Sequence, residues 1–377
     1  MAKRQGLIFT LALLAAAGAA TLANAALPTA LGFSVLPNTK IRSVCAADQG
    51  FDVGGNSGCP AITSAWSGAA FDTQRNRLIV WGGGHQDYGG NELYAIDLDT
   101  QTVQRITDPG LPTGPVSPCN EAIVGGTQPN SRHTGDGLEY IPGLDAIFAF
   151  GGSLYCGIGD FSTEAWLFHM STNTWQRLNA TGTRPHKVPG TLMAYDPNTG
   201  LVFVYDDVYF YSYNPSTNAF TQLTTTQQPI GYHLNAEIDP TRKKFMMVGY
   251  DSVATAGRVW SVDIAPGSNY ALTQVATTGG NTIVSTPYPG LAYDPTADRL
   301  VAWGENSPNV IYSLNLDTKV WTATNVTGGP NPVGNGTTGR WRYSPTSNVF
   351  VLENSVDDNA VIYRASAGGG TTPDSQA

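Results

Sequence analysis

Charged residues are scarce in this chain of 377 residues: they make up 13% of it, and the formal net charge is −9. The low charge, together with 43 glycines and 24 prolines, excludes a coiled coil, because both residues break long helices. The negative balance also disfavours long-range attraction to nucleic acid or an anionic membrane. We therefore expect neither nucleic acid nor a membrane as a partner.

Several catalytic and metal-binding signatures are missing as well. The chain contains no Gly-x-Ser-x-Gly elbow, phosphate-binding loop, dinucleotide fingerprint or metalloprotease helix. It has no Cys-x-x-Cys and no histidine at ligand spacing, so we expect no structural zinc. We expect no metal and no cofactor, but structural calcium stays open because Asp357-Asp358 falls on a predicted loop.

Long apolar runs are absent except at the N-terminus. Lys3 and Arg4 precede the apolar run Leu7–Leu22, and Ala23-Asn24-Ala25 fits the small-x-small cleavage rule. This pattern predicts a signal peptide over residues 1–25 and a secreted or periplasmic protein, with a membrane anchor as the alternative.

The four cysteines form an even set, which indicates two disulfides in an exported chain. Three pairings of Cys45, Cys59, Cys119 and Cys156 are possible. We favour Cys45–Cys59, which closes a short loop, together with Cys119–Cys156.

A short motif, in which an aromatic or apolar residue comes just before Asp-Pro or a variant of it, recurs six times. Its central residues are Phe71, Tyr140, Tyr195, Ile238, Tyr293 and Tyr343. Their spacings are 69, 55, 43, 55 and 50 residues, and a period near 50 with β-type segments is typical of a β-propeller. Each repeat continues with two further strands, and five repeats have a fourth.

The sixth repeat lacks a fourth strand, because only a Gly/Thr/Ser-rich tail follows Arg364. The segment Phe33–Pro37 supplies a candidate that would close the ring and remove an exposed sheet edge. The sequence thus predicts an all-β fold: a single β-propeller of six four-stranded blades over residues 26–366, with a disordered tail at 367–377. Seven blades are the alternative, because Val44–Ile62 and Thr107–Ser131 are long connections. We expect a monomer.

Two of the repeats resemble kelch repeats. Ala149-Phe150-Gly151-Gly152 is followed by Trp166 and Trp175, and the stretch Trp81–Asn91 is similar to bacterial exported kelch-type proteins. The resemblance implies a propeller like the central domain of galactose oxidase. It also suggests the polysaccharide lyases among the propellers, although many kelch propellers only bind partners. A copper radical oxidase is a third option, which would need a Tyr–Cys crosslink and two histidine ligands.

The loops of a four-stranded blade alternate between two faces. The second-to-third and fourth-to-first loops share one face, and here they hold the insertions Gly82–Asn91, Thr107–Arg132, Gly152–Glu164 and Gly249–Gly257. The same face is expected to hold all four cysteines and four of the five histidines. Because sites are usually built on long loops of a rigid scaffold, we place the candidate site on this face, called the long-loop face below.

The residues on this face fit β-elimination from a uronic acid. That reaction needs a cation to neutralise the carboxylate, a base to take the adjacent proton and an acid to protonate the leaving oxygen. An arginine fork suits the carboxylate, imidazole the base and phenol the acid. The catalytic candidates are His85, Arg132, His133, Tyr88, Tyr232 and His233, and the substrate-binding candidates are Arg258, Arg340, Tyr155 and Asn91. The alternative is that these side chains hold their own loops.

The sequence therefore predicts a secreted carbohydrate-active propeller, with a polysaccharide lyase as the leading hypothesis. The alternative is a non-catalytic extracellular propeller that binds a glycan or a protein.

Overall fold

A computed structural model describes residues 26–110, 119–123, 126–156, 160–186 and 189–367. The predicted signal peptide, residues 1–25, and residues 368–377 of the predicted tail lie outside the described residues. Within these ranges, no helix is long and apolar enough to span a membrane.

Six antiparallel sheets surround a central channel, and the innermost strands of neighbouring sheets contact one another around the whole ring. The first strand, β1 (Gly32–Val35), belongs to the last blade. Blade 1 contains β2 (Gly68–Asp72), β3 (Arg77–Trp81), β4 (Tyr94–Asp97) and β5 (Thr102–Arg105). The next strand, β6 (Arg132–His133), pairs with β9 (Ser153–Leu154) in a separate ribbon. Blade 2 contains β7 (Leu138–Ile141), β8 (Ala146–Phe150), β10 (Ala165–His169) and β11 (Thr174–Leu178).

The remaining blades follow the same plan, with the first strand innermost and the chain running outward. Blade 3 contains β12 (Thr181–Gly182), β13 (Leu192–Asp196), β14 (Leu201–Tyr205), β15 (Phe210–Asn214) and β16 (Ala219–Gln222). Blade 4 contains β17 (Leu234–Asp239), β18 (Lys244–Asp251), β19 (Ala256–Asp263) and β20 (Leu272–Gln274). Blade 5 contains β21 (Gly290–Asp294), β22 (Arg299–Trp303), β23 (Val310–Asn315) and β24 (Val320–Asn325). Blade 6 contains β25 (Trp341–Ser344), β26 (Val349–Leu352) and β27 (Val361–Arg364).

The helical segments are short and lie between blades, except for Pro142–Leu144, which joins β7 to β8 within blade 2. The α-helices are α1 (Ala61–Ser64) and α2 (Asn281–Val284), and the 3-10 turns are Ile41–Val44, Ala47–Gln49, Pro142–Leu144 and Thr338–Arg340.

The N-terminal strand completes blade 6, as the sequence predicted. β1 pairs antiparallel with β27, with Phe33 opposite Tyr363 and Val35 opposite Val361. This pairing satisfies a strand edge that would otherwise stay open, and it ties the two ends of the ring together. The prediction of six blades is confirmed, and seven blades are excluded.

Two blades differ in detail from the prediction. In blade 3, β12 runs parallel to β16 and adds a fifth strand at the outer edge. In blade 4, most of the predicted loop Gly249–Gly257 is strand, because the pairing continues to Asp251 opposite Ala256. The Asp251 carboxylate accepts hydrogen bonds from the backbone N–H groups of Val253 and Ala254, at 2.9 and 3.1 Å, which is a tight turn rather than a long loop.

The hydrophobic core lies between the blades. Each buried cluster joins two neighbouring sheets, as where Trp81 of blade 1 packs with Trp166 of blade 2. The closing cluster joins blades 6 and 1 and includes Ile41 and the Cys45–Cys59 disulfide. Because each sheet buries both of its faces against the neighbouring blades, the strands of each repeat are strongly apolar.

Small and large side chains alternate around one level of the channel. The residue before the central motif position is Ala70, Glu139, Ala194, Glu237, Ala292 and Arg342 in blades 1 to 6. Six inner strands meet at the axis, so three alanines leave room for three long charged side chains. The long side chains reach the next blade: the Tyr195 and Tyr293 backbone N–H groups bond to Glu139 and Glu237, respectively.

Hydrogen bonds also cross the channel between alternate blades. The Arg342 guanidinium donates to Glu139 at 3.1 Å, and the Ala236 N–H donates to Asp136 at 2.9 Å. The Asn235 amide donates to the Thr338 carbonyl. These contacts join blades 6, 2 and 4, so the middle of the channel contains buried polar side chains, with an open cavity at each mouth.

Candidate functional site

A cavity of about 650 Å³ lies at the channel mouth on the long-loop face. It is large enough for a sugar or a similar small molecule. Its walls come from the segments before the inner strands and from the second-to-third loops of blades 1, 2 and 5. Its described lining residues include six with rings that are able to act on or stack against a ligand: Trp66, His85, His133, Tyr232, His233 and Tyr288.

The repeat itself places much of this wall. The residues five positions before the central motif residue are Trp66, Gly135, Gly190, His233, Tyr288 and Thr338. The first five of these line the cavity, because each stands where the chain enters an inner strand at the channel mouth. Glycine in blades 2 and 3 leaves open space, while the aromatic residues in blades 1, 4 and 5 supply flat faces.

The His85 loop is held close to β6 by glycine. Gly84 has a φ of +79°, and a Cβ there would lie 2.3 Å from the Cα of Arg132. The His85 carbonyl accepts a hydrogen bond from the Cys156 N–H at 2.8 Å, next to the Cys119–Cys156 disulfide. The favoured disulfide pairing is confirmed by both bonds in the structure. The loop that carries His85 is therefore fixed on two sides.

His133 lies on β6 and is paired with a carboxylate. Its Nε2 is 2.9 Å from Oδ2 of Asp87, and Asp87 also accepts a hydrogen bond from Ser57 at 3.1 Å. The bond to His133 lowers the pKa of Asp87, so this carboxylate is ionised at neutral pH. An ionised carboxylate can only accept, so in the neutral imidazole Nε2 carries the proton and Nδ1 is the basic nitrogen.

A continuous row of rings runs along the cavity wall. The ring centroids of His85 and His133 are 5.8 Å apart, and those of His133 and Trp66 are 5.1 Å apart. The Trp66 indole donates a hydrogen bond to the Tyr288 hydroxyl. His233 continues the row, with centroids 4.7 Å from Tyr288 and 4.5 Å from Tyr232. The wall thus offers several aromatic faces beside one acid–base pair.

Among the described residues, four side chains with rings stand on backbone with a positive φ, and three of them line the cavity. Trp66, His85, Tyr288 and Asn335 all line the cavity and have φ values of 47°, 46°, 48° and 61°. Bulky residues rarely adopt this left-handed conformation, and such strain clusters at functional sites. The conformation aims three large rings at the cavity, which is a second, independent indication that this is the functional face.

Burial tunes two groups in the wall. It lowers the pKa of His233, which therefore stays neutral at neutral pH, and it raises the pKa of Tyr288. The Glu305 carboxylate accepts hydrogen bonds from the N–H groups of Val333 and Gly334 at 3.1 and 3.0 Å. Glu305 thereby fixes the loop that forms the blade 6 side of the cavity.

Four of the six catalytic candidates lie together at the cavity: His85, His133, Tyr232 and His233. Their catalytic role stays a prediction. The structure places the other two elsewhere. The buried Arg132 guanidinium donates to the carbonyls of Asn130 and Gly151 and to the Ser162 hydroxyl, so none of its nitrogens points to a free ligand. Tyr88 is also fully buried, and its hydroxyl donates to Glu92 at 2.5 Å.

None of the four substrate-binding candidates lines the cavity. Arg340 is buried and donates to the carbonyls of Ser67, Glu353 and Gly336, where it supports the wall from behind. The buried Asn91 amide donates to the Pro129 carbonyl at 2.8 Å. Tyr155 is buried against the backbone of Gly55, and Arg258 donates to the carbonyl of Gly257. Arg258 holds its own loop, which is the alternative that the sequence left open, and the other three tie different segments of the chain together.

Sequence reasoning missed several lining residues, above all Trp66, Phe161, Tyr288, Glu305, Asn306 and Asn335. A signal was available for two of them, because Trp66 and Tyr288 occupy the same repeat position as His233. The others lie in loops outside the repeat register, where no pattern indicates which way a side chain points.

The imidazoles of His85, His133 and His233 do not form a metal site among the described residues. Within the described residues, one group of three side chains has ligand atoms close enough to hold an ion: Cys45, Asp48 and Cys59. Both of these cysteines are in a disulfide, so their sulfur atoms are not available as thiolate ligands. The residues present therefore fit neither zinc nor copper at this group.

Comparisons with known proteins agree on the fold. No family model matches the chain, and no match was found among the curated proteins. Among solved structures, one titled "Structure of YjhT" has 13% sequence identity and a TM-score of 0.51, over 81% of this chain and 94% of that one. A structural genomics protein of unknown function from Bacteroides thetaiotaomicron VPI-5482 has 13% identity and a TM-score of 0.52, over 89% of this chain and 76% of that one.

At this identity these likenesses show the fold alone. The chain is a six-bladed β-propeller. The matches do not confirm the kelch type, which stays a resemblance carried by the first two repeats.

Proposed function

We propose that the cavity on the long-loop face binds a carbohydrate and that His133, held by Asp87, exchanges a proton with it. The observation that carries the proposal is the 2.9 Å contact of Asp87 with His133 in a wall that also presents Trp66 and Tyr288. Sugar rings have apolar faces that stack on such aromatic side chains, and hydroxyls that need fixed polar partners. Asn306, Asn335 and Thr286 also line the cavity and supply amide and hydroxyl groups.

The reaction we propose to test first is β-elimination from a uronic acid. His133 takes the proton beside the carboxylate through Nδ1, and the carbon–oxygen bond to the leaving sugar breaks as the double bond forms. The Tyr232 phenol gives its proton to the leaving oxygen. His85, with its ring centroid 5.8 Å from that of His133, takes the role that the sequence gave to Arg132 and donates a hydrogen bond to the carboxylate.

One observation favours the second candidate, non-catalytic glycan binding. None of the described residues that line the cavity is an arginine or a lysine. A strong carboxylate clamp is therefore missing from the described wall, whereas a neutral sugar needs no such cation.

The test uses purified protein with a panel of uronic-acid polymers and neutral polysaccharides. Turnover is followed by absorbance of the unsaturated product, and binding by calorimetry. We expect Asp87→Asn and His133→Gln to lower turnover by about 10²-fold or more, the usual contribution of a general base, while sugar binding persists. His169→Gln is the matched control, because His169 lies on β10, away from the cavity, and bonds to Gln176.

The outcomes separate the candidates. Binding without turnover in the unmodified protein would replace the lyase by a binding role. No binding to any sugar, with Trp66→Ala behaving like the unmodified protein, would overturn the proposal as a whole.

A further inference from the structure

A second cavity of about 330 Å³ lies at the opposite mouth of the channel. Its wall repeats with the blades: the central motif residue is the last but one of each inner strand, and five of the six have a proline two positions later. The wall residues are Phe71, Tyr140, Tyr195, Ile238, Tyr293 and Tyr343, with Pro142, Pro197, Pro240, Pro295 and Pro345. We call this the aromatic cup.

Three of the four tyrosine rings of the cup are fixed by their own hydroxyls. Tyr140 donates to Asp145 at 2.9 Å, Tyr293 to Asp298 at 2.6 Å and Tyr343 to Asn348 at 2.8 Å. These hydroxyls are engaged at the rim, so what a ligand meets in the cup is chiefly ring surface. A preorganised wall of this kind loses little entropy when a ligand binds, and aromatic faces attract cations.

The floor of the cup is charged, and the one cation among its described residues is already engaged. Arg342 donates to Glu139 at 3.1 Å and to the carbonyls of Ala69 and Leu138 at 3.0 and 2.9 Å. Its donors are therefore directed into the protein and not into the cavity.

Glu237, the other carboxylate of the floor, is in a different position. It is half-buried and accepts hydrogen bonds from the backbone N–H groups of Ile238, at 2.8 Å, and Tyr293. Among the described residues no ion pair to Glu237 is formed. Two carboxylates and one guanidinium thus give the floor a net negative charge beneath an aromatic wall once both carboxylates are ionised.

We infer that the aromatic cup binds the ammonium group of an organic cation, with Glu237 as its counter-charge and the tyrosine faces around its apolar body. This arrangement combines the two features that recognise a desolvated ammonium group: an acceptor carboxylate and ring faces. The site is separate from the cavity on the long-loop face and does not depend on the function proposed there.

The test is an NMR titration of the whole protein with n-butylammonium, with n-butanol as the uncharged probe of similar shape. We expect n-butylammonium to bind and n-butanol to bind at least tenfold more weakly. Glu237→Gln keeps the shape of the side chain and should weaken n-butylammonium binding about tenfold, which corresponds to ~1.4 kcal/mol. Equal binding of both probes, or unchanged binding in Glu237→Gln, would overturn the inference.

The affinity for n-butylammonium should depend on pH in a defined direction. Burial raises the pKa of Glu237 to about 7, with Glu139 adding to the effect and Arg342 opposing it. The alkylammonium stays charged because its pKa resembles that of lysine. Binding should therefore tighten as the pH rises from 6 to 8. Burial also raises the pKa of Glu139 and of the buried Asp136, and their ionisation tightens binding in the same direction. It raises the pKa values of the four cup tyrosines as well, so these phenols stay neutral over this range.

A second variant and a control keep the result interpretable. Tyr195→Leu removes one ring face and leaves the charge, so it should weaken n-butylammonium binding severalfold without changing its pH dependence. His133→Gln, in the other cavity, should bind the probe like the unmodified protein. Loss of probe binding in His133→Gln would show that the cation binds elsewhere and would contradict the inference.

The ammonium group that the cup recognises can belong to a free amine or to a lysine side chain of a protein. A titration with Nα-acetyl-lysine-methylamide in parallel distinguishes them. Tighter binding of the capped lysine would indicate a protein partner on this face, and tighter binding of n-butylammonium a small-molecule ligand.

Discussion

At the scale of single residues, the candidate site depends on a glycine that lets two backbone segments approach each other closely. Gly84 brings the His85 loop against β6, so that the ring centroids of His85 and His133 are 5.8 Å apart. Asp87, three residues after Gly84, then reaches His133. His85 and His133 are 48 residues apart in the sequence. This close approach places both of them, with Asp87, in the same wall of the cavity.

Gly84→Ala is therefore expected to damage both stability and the site. The added Cβ meets backbone atoms of Arg132 and His133 at 2.3 Å, at a φ of +79°. We expect the free energy of unfolding to fall by roughly 2–4 kcal/mol.

Chemical denaturation measures this change. Gly143→Ala is the control, because a Cβ there meets no atom within 4 Å and the φ is not left-handed. Equal stability of the two variants would show that the loop yields easily and that the close approach is not required.

At the scale of secondary-structure elements, the blade that closes the ring is built from both ends of the sequence. β1 supplies the outer strand of blade 6, and Phe33 on it packs against Tyr363 and Trp341, with centroid distances of 5.4 and 6.4 Å. The next residue but one, Val35, is 55% exposed. One strand thus carries a residue that stabilises the closure and one that does not.

We expect Phe33→Ala to lower the free energy of unfolding by about 1–3 kcal/mol, because a large ring leaves a partly buried site between two others. Val35→Ala, in the same strand, should change it by less than about 0.5 kcal/mol. Thermal unfolding of the two variants side by side measures the difference. Identical midpoints would mean that closure rests on the backbone hydrogen bonds alone.

At the scale of the whole molecule, the channel interior joins alternate blades. Arg342 of blade 6 bonds to Glu139 of blade 2 and lies 3.9 Å from Asp136. Because burial raises the pKa of both carboxyls, the guanidinium is what keeps their charge tolerable inside the protein.

Arg342→Met should therefore destabilise the fold by roughly 3–5 kcal/mol, since it leaves buried acids without a partner. The double variant Arg342→Met/Glu139→Gln should recover part of this loss, and the denaturation midpoint should become less sensitive to pH above neutrality. Arg177→Met is the control, because Arg177 is 41% exposed and its pair with Glu164 lies at the surface. A loss equal in Arg342→Met and Arg177→Met would contradict a central role for the channel network.

The sequence alone was sufficient to predict the architecture. The period of about 50 residues and the strand-like alternation of apolar side chains arise from local interactions that are present in every blade. The same information sorted the loops onto two faces and favoured the two disulfides that the structure contains. It also brought four residues correctly to one cavity, since His85, His133, Tyr232 and His233 stand next to strand ends on the same face.

Only the tertiary structure decided which polar side chains face a ligand and which hold the protein together. Arg132 and Arg340 look like ligand-binding residues in the sequence, yet each is buried and donates to backbone carbonyls. Glu237 and Glu139 share a repeat position, but their surroundings differ because Arg342 bonds to one of them and not to the other. Arg340 and Ser67, like Arg342 and Glu139, are far apart in the sequence, and their pairing depends on the closed ring rather than on any local pattern.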